Sequence, residues 1–355
     1  MKLCRQHLKF AGVFLVSGLW FSTGLAETSD WRKTLADDVA KVELLYPQQV
    51  GLYVRDLQTG ESFGHRSEET WYVASGVKVP IAMEILRQID HGQLSLDQKV
   101  TLQTTDFLDG AGETNFQKPG SHLTLRYLLE QMLIHSDNTA SDLLIRAAGL
   151  ENINRNLGEL VPTGFTRITT LADVRRLAFS HFHPKANELT NAQILKIRRT
   201  HGENARIHEL AALLHIRLDK LKCRTQDQAF AAYYEQHLNS ASLSGYADLL
   251  EKIFKKTPLK AETHAFLVDT MSRVETGKKR IRAALPSGFQ WAHKTGTQHA
   301  RLCDFGVAWD KSHTPAHQVV ITSCVRNVQS LSKSESALKL LGRAVYASGV
   351  FSHNP

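Results

Sequence analysis

Long apolar runs are scarce in this 355-residue sequence. The one of note, Phe10 to Trp20, is too short to span a bilayer comfortably, and no later stretch approaches membrane-span length. Stable insertion into a membrane is therefore not expected. Cysteine is also sparse, at four residues. Cys4 lies away from the cleavage junction near Ala26, which argues against a lipoprotein anchor. Histidine is plentiful at 17 residues, but none has convincing metal-ligand spacing. His181-Phe182-His183 lacks a third ligand, and His208-Glu209 lacks the second histidine of a zinc-protease helix. No metal and no cofactor are expected. Internal repeats and low-complexity segments are absent, which excludes solenoids and arrays.

The chain opens as a targeting segment. Lys2, Arg5 and Lys9 precede the apolar run, and Gly24-Leu25-Ala26 is a small-x-small cleavage pattern. A signal peptide over residues 1–26 and an exported, periplasmic or secreted, product are expected. Formal net charge is +8, and much of the remaining excess is local: residues 181–224 hold nine Lys or Arg against four Asp or Glu. Such a patch can bind nucleic acid, but an exported protein meets little of it. A solvated helical face, or one facing anionic envelope polymers, is the better reading. No nucleic-acid partner is expected, and the protein is taken as a monomer.

Residues 49–57 alternate, with Val50, Leu52 and Val54 on one face; Thr59-Gly60 turns the chain and Glu61 to Arg66 returns it, as a hairpin does. After Trp71 the period becomes helical, with Ile81, Ala82, Ile85, Leu86 and Ile89 in one stripe ended by Gly92. Leu125, Leu128, Leu129, Met132 and Leu133 repeat the pattern behind Thr124 as N-cap. Ile207, Leu210, Ala211 and Leu214 form another stripe. Strand alternation returns at QWAHKTGT, RLCDFGVAWD and HQVVITSCV, and a final helical stretch follows. If the last two runs form a hairpin centred between His313 and Thr314, Cys303 falls opposite Cys324. Export permits a disulfide there; two buried free thiols fit the same register, and Cys223 is left over.

The fold class that results is α+β, an αβα sandwich: an antiparallel sheet built from the two chain ends, flanked by helices, with a large all-helical lobe inserted. Residues 27–70 and 263–355 would make the α/β lobe, and 71–262 the helical lobe, with a basic insert at about 181–238.

Three short motifs occur in order: Ser75-Gly76-Val77-Lys78, Ser136-Asp137-Asn138 and Lys294-Thr295-Gly296. S-x-x-K alone carries little weight, since Ser330 to Lys333 and Ser336 to Lys339 repeat it. All three in order, each at an element edge, carry much more. A serine hydroxyl needs a neighbouring base, and at a helix start residues i and i+3 share a face, so Lys78 can serve Ser75. Repulsion between Lys78 and Lys294 would lower a lysine pKa and favour Lys78 as a neutral base. Ser136 is placed to pass a proton to a leaving nitrogen. Asn138 can orient a substrate amide and the lysine; Lys294, Thr295 and Gly296 can hold a substrate carboxylate. The backbone N–H groups of Ser75 and Thr297 would form an oxyanion hole. Pro80, in the first turns of the Ser75 helix, should leave a carbonyl unpaired. His293, alternating away from Lys294, reads as a packing residue. Arg301 and Arg326 either reach a substrate carboxylate or are ordinary surface arginines.

WYVASGVKVP, HGQLSLDQKV, LIHSDNTASDLLI and ETGKKRIRAALPSGFQWAHKTGT, with the three motifs, resemble their counterparts in class A β-lactamases and related penicillin-binding proteins. The resemblance runs from about Val50 to Asn327 and lapses between about His181 and Leu238. It implies a serine hydrolase that acts on β-lactams or related amides through an acyl-enzyme, with its site between two lobes. A DD-peptidase or esterase acting on cell-wall peptide, or a sensor domain that acylates without turnover, are the alternatives. In class A enzymes a loop glutamate activates the deacylating water. Its counterpart here is Ala172, with Asp173 one residue on and Glu188 as a weaker substitute, so the resemblance supports acylation better than deacylation.

Overall fold

The computed structural model describes residues 30–255, 258–312 and 316–352. The expected signal peptide and the tip of the cysteine-bearing hairpin lie outside the described residues. Five strands form the main sheet: β1 (Val50–Asp56), β2 (Ser62–His65), β3 (Phe289–Gln298), β4 (Arg301–Asp310) and β5 (Gln318–Arg326). Their spatial order is β2-β1-β5-β4-β3, and each pairing is antiparallel. The sheet thus joins the two ends of the described chain and leaves β3, which carries Lys294-Thr295-Gly296, at one edge.

Twelve α-helices occur among the described residues: α1 (Trp31–Leu45), α2 (Lys78–Asp90), α3 (Leu125–Ile134), α4 (Asn138–Ala148), α5 (Leu150–Leu160), α6 (Leu171–Ser180), α7 (Asn191–Arg199), α8 (Glu203–Leu213), α9 (Gln226–Tyr234), α10 (Leu243–Phe254), α11 (Ala261–Ser272) and α12 (Leu331–Ala347). Strand alternation decides what each sheet face buries. Val50, Leu52 and Val54 pack with Leu35 and Val39 of α1 and Leu338, Leu341 and Val345 of α12. On the other face, Phe305, Val307 and Val320 join the core of the helical lobe, with α2 running through it. Helices therefore cover both faces of the sheet. Gly60 lies in the turn of the first hairpin with φ +79°, Gly92 follows α2 with φ +73°, and Thr124 caps α3 by accepting from Tyr127 N–H (3.2 Å).

The basic stretch has its own apolar core, in which Phe179, Phe182, Ile194, Ile197, Leu210 and Leu214 pack together. Cys303 pairs with Cys324 in register, and a disulfide joins them with Cα atoms 4.0 Å apart. Cys223 is a free, half-buried thiol. No helix among the described residues is long and apolar enough to cross a membrane.

Candidate active site

Ser75 sits in a 3₁₀ turn, Ala74–Val77, that runs directly into α2. With three residues per turn, Ser75 and Lys78 lie one above the other. Ala74 has φ +48° and Ser136 φ +64°, both costly for residues with a Cβ. Strained backbone thus lies beside Ser75 and at the S-D-N serine. Pro80 adds a missing N–H, but the Gly76 carbonyl is not left unpaired as expected: the buried Tyr246 hydroxyl donates to it at 2.8 Å. The partner comes from α10, far away in sequence.

Lys78 and Lys294 are both fully buried. Lys78 Nζ donates to Ser136 O (2.6 Å), Asn138 Oδ1 (2.8 Å) and Ser136 Oγ (3.2 Å). Lys294 Nζ donates to the same Ser136 Oγ at 3.0 Å. The Ser136 hydroxyl therefore lies between two amines. The expected aim of Lys78 at Ser75 needs correcting: the amine's hydrogen bonds go to Ser136 and Asn138, whose carbonyl oxygens are stronger acceptors than a hydroxyl. The half-buried Ser75 opens instead into the cleft.

Burial pushes the Lys78 ammonium down to about 7, against the pull of Asp137, Asp142 and Asp109. Lys294 is pushed well below the usual lysine range, by burial first and then by the charges of Lys78 and Arg280. Burial thus joins repulsion as the cause, and leads it. Loss of water comes first for both amines, and their mutual repulsion adds to it at Lys294.

Asp137 is structural. Its fully buried carboxylate caps α4 by accepting from Ala140 N–H (2.9 Å) and takes Thr114 N–H (3.0 Å). Asn138 Nδ2 donates to Asp109 O (2.7 Å), which holds the preceding loop over the site. On β3, Gly296 must be glycine for close approach: a Cβ there would meet Val73 O at 2.3 Å. That contact sets the edge strand against the Ser75 turn. Thr295 Oγ1 bonds Thr276 Oγ1 at 2.6 Å. Ser75, Ser136, Asn138, Thr295 and Thr297 line one cleft of about 860 Å³.

A cation that the sequence reading missed belongs to this site. Arg280, almost fully buried, lines the cleft, donates to Thr297 Oγ1 (2.7 Å) and is pinned by Gly296 O (3.0 Å) and Cys303 O (2.9 Å). Arg301 and Arg326 do neither: Arg301 lies over the Tyr234 ring, and Arg326 lies over Trp71 and pairs with Glu69. His293 is buried against Asp304 at 2.7 Å, away from Lys294.

The carboxylates considered for deacylation do not line the cleft. Asp173 pairs with Arg176 at 3.0 Å, and Glu188 is exposed on a 3₁₀ turn over Pro184–Glu188. Ala172 is buried near the start of α6. A different acid lies beside it. Asp142, one helical turn beyond Asn138, accepts from Leu171 N–H (2.7 Å) and Ala172 N–H (3.0 Å). Burial raises its carboxyl to about 6. The i, i+4 spacing from Asn138 was the available signal.

The chain has relatives among known proteins. The sequence profile of the beta-lactamase enzyme family matches residues 34–348. β-Lactamase L2 of Stenotrophomonas maltophilia is 29% identical over 153 residues, 41% of this chain and 50% of that one. A β-lactamase of Rhodobacter capsulatus is 35% identical over 150 residues, 42% and 50%. The chain thus spans about half the length of these two relatives. β-Lactamase SME-1 of Serratia marcescens is 23% identical over 282 residues, 79% and 78%. Among solved structures, a PBP-A mutant in an acyl-enzyme complex with penicillin G superposes with TM-score 0.65 at 20% identity, covering 88% of this chain and 96% of that one. A β-lactamase from Sphaerobacter thermophilus does so with TM-score 0.64 at 21% identity, covering 92% and 100%. These two share the fold. Taken with the profile match over nearly the whole described chain, they place the protein: it belongs to the beta-lactamase enzyme family.

Proposed function

We propose that the protein is an exported serine hydrolase that opens β-lactams or related amides through an acyl-enzyme on Ser75. The observation that carries this reading is the Ser136 hydroxyl held between the Lys78 and Lys294 amines, in the cleft into which Ser75 opens. A neutral Lys78 keeps two N–H donors for the Ser136 and Asn138 carbonyls and has one lone pair left for a hydroxyl. Ser75 gives up its proton to this lone pair by way of the Ser136 hydroxyl, which Lys78 already touches, as Oγ attacks the amide carbonyl carbon. The tetrahedral oxyanion then collapses, the C–N bond breaks, and Ser136 passes a proton to the leaving nitrogen while regaining one from the lysines. Thr295 and Arg280 supply donors for a substrate carboxylate.

Deacylation needs a base at a water, and the α6 position that would carry one is the buried Ala172. This favours a long-lived acyl-enzyme, either as a slow hydrolase or as a receptor that acylates and holds. Peptidase or esterase action on envelope substrates uses the same steps. Incubation with benzylpenicillin should give a single mass adduct on the Ser75 peptide. A pre-steady-state burst with a chromogenic cephalosporin, followed by weak turnover, should accompany it. Labelling that persists in Ser75→Ala, or that maps to Ser330 or Ser336, would reject the assignment.

A further inference from the structure

The cleft extends beyond the two serines, and its far wall comes from α6 and from α7 of the basic insert. Arg175 of α6 lines it, and Leu195, Arg198 and Arg199 of α7 continue the wall. With Arg280, four arginines face the cleft against one carboxylate, Asp109. That carboxylate is already engaged. Arg175 holds both of its oxygens, at 3.2 and 2.8 Å, and Arg198 Nε adds a contact at 2.9 Å. The terminal nitrogens of Arg198 have no hydrogen-bond partner among the described residues, and Arg199 has neither hydrogen bond nor ion pair there.

Local structure fixes this wall. Thr190 and Gln193 form a capping box that starts α7, and Ile194 and Ile197 bury its other side in the insert's core. Asn191 Nδ2 donates to Thr105 O (2.8 Å), tying the helix to the loop across the cleft. Arg198 and Arg199 fall in the last turn, where the helix dipole favours cations. A cleft with an excess of positive charge and low-dielectric walls concentrates anions.

We propose that the α7 end of the cleft is an anion subsite that takes a carboxylate on the acyl side of the substrate. The preferred substrate is then an amide with two carboxylates, one held at Thr295 and Arg280 and the other at Arg198 and Arg199. This rests on the acyl-enzyme reading of Ser75 and extends it to substrate class.

Ser75→Ala protein, which cannot be acylated there, allows equilibrium binding to be measured by calorimetry. The probes are benzylpenicillin and its α-carboxyl analogue, which differ by one carboxylate. The analogue should bind about tenfold more tightly at low salt, and high salt should shrink this preference. The ratio should fall toward one in Arg198→Gln/Arg199→Gln, where Arg175 still holds Asp109, and persist in Arg217→Gln, outside the cleft. Equal affinities, weaker binding of the analogue, a ratio that survives the double substitution, or no binding of either compound would each overturn the proposal. Failure of wild-type protein to acylate would instead sink the Ser75 reading, while the binding ratio still decides the subsite.

Discussion

In the proposed reaction, acylation turns on a lysine amine withdrawn from water. Because burial brings Lys78 down to about 7, it is half neutral near physiological pH and can accept the Ser75 proton. The second-order rate of acylation by benzylpenicillin should therefore rise as pH increases through about 7 and then level. A flat stopped-flow profile from acid to neutral pH would contradict this. Stability must run the same way. The unfolded chain binds the Lys78 proton below about 10.5, whereas the fold binds it only below about 7. Stability present above the unfolded pKa is thus lost as pH falls between those values and stays lost below them. Lys78→Met should abolish acylation yet raise stability at pH 7 by on the order of 2 kcal/mol, with a smaller gain at pH 10 in urea titrations. The candidates Ser75, Lys78, Ser136 and Lys294 could be named from the sequence because their motifs are local. Burial was not legible, since it belongs to the fold, and so charge repulsion was the only cause in view. Arg280 went unseen for a related reason: an arginine between Lys279 and Ile281 looks like its neighbours until the fold buries it against Gly296 and Cys303.

At the scale of elements, the first turn of α6 is where the proposed reaction would settle the fate of its acyl-enzyme. Thr170 Oγ1 caps it by accepting from Asp173 N–H at 3.0 Å, and Asp142 of α4 takes the N–H groups of Leu171 and Ala172. A carboxylate is thus present in the neighbourhood, but its oxygens are occupied in holding a helix. Ala172→Glu should restore a base and speed loss of the acyl adduct, followed by mass spectrometry over time. The gain should be small in that variant alone, because a second carboxylate beside Asp142 will share a proton with it. Removing the conflict with Ala172→Glu/Asp142→Asn should raise deacylation by about 10²-fold. No gain in either variant would show that water, rather than a base, is missing. Strand register was legible here, since alternation places one whole face at once, as with Val50, Leu52 and Val54. Contacts between elements were not. Pro80 announced a broken rule, but the hydroxyl that repairs it is Tyr246, and nothing near Pro80 points to it.

Across the whole molecule, one sheet divides two cores, and the disulfide lies on the side that faces the helical lobe. Cys303 and Cys324 are both buried in that core, and Cys303 Sγ lies 3.6 Å from Tyr72 O, three residues before Ser75. The bridge joins β4 to β5 inside the sheet, where ladder hydrogen bonds already hold the strands together. Its effect therefore falls mainly on the unfolded chain, which it shortens by closing a loop of 21 residues. Reduction, or Cys303→Ala/Cys324→Ala, should lower stability by about 3 kcal/mol in denaturant titrations while acylation at Ser75 persists in what remains folded. The bond also reports on compartment, because it persists where the surroundings oxidise and is kept reduced in the cytosol. Protein expressed with residues 1–26 should be recovered from the oxidising side with Cys303 joined to Cys324 and Cys223 free. Protein expressed without them should carry three thiols when trapped rapidly by alkylation. Non-reducing peptide mapping separates the cases. A Cys223 linkage in exported protein would reject the pairing, and an intact bridge in the cytosolic form would break the link between this bond and export.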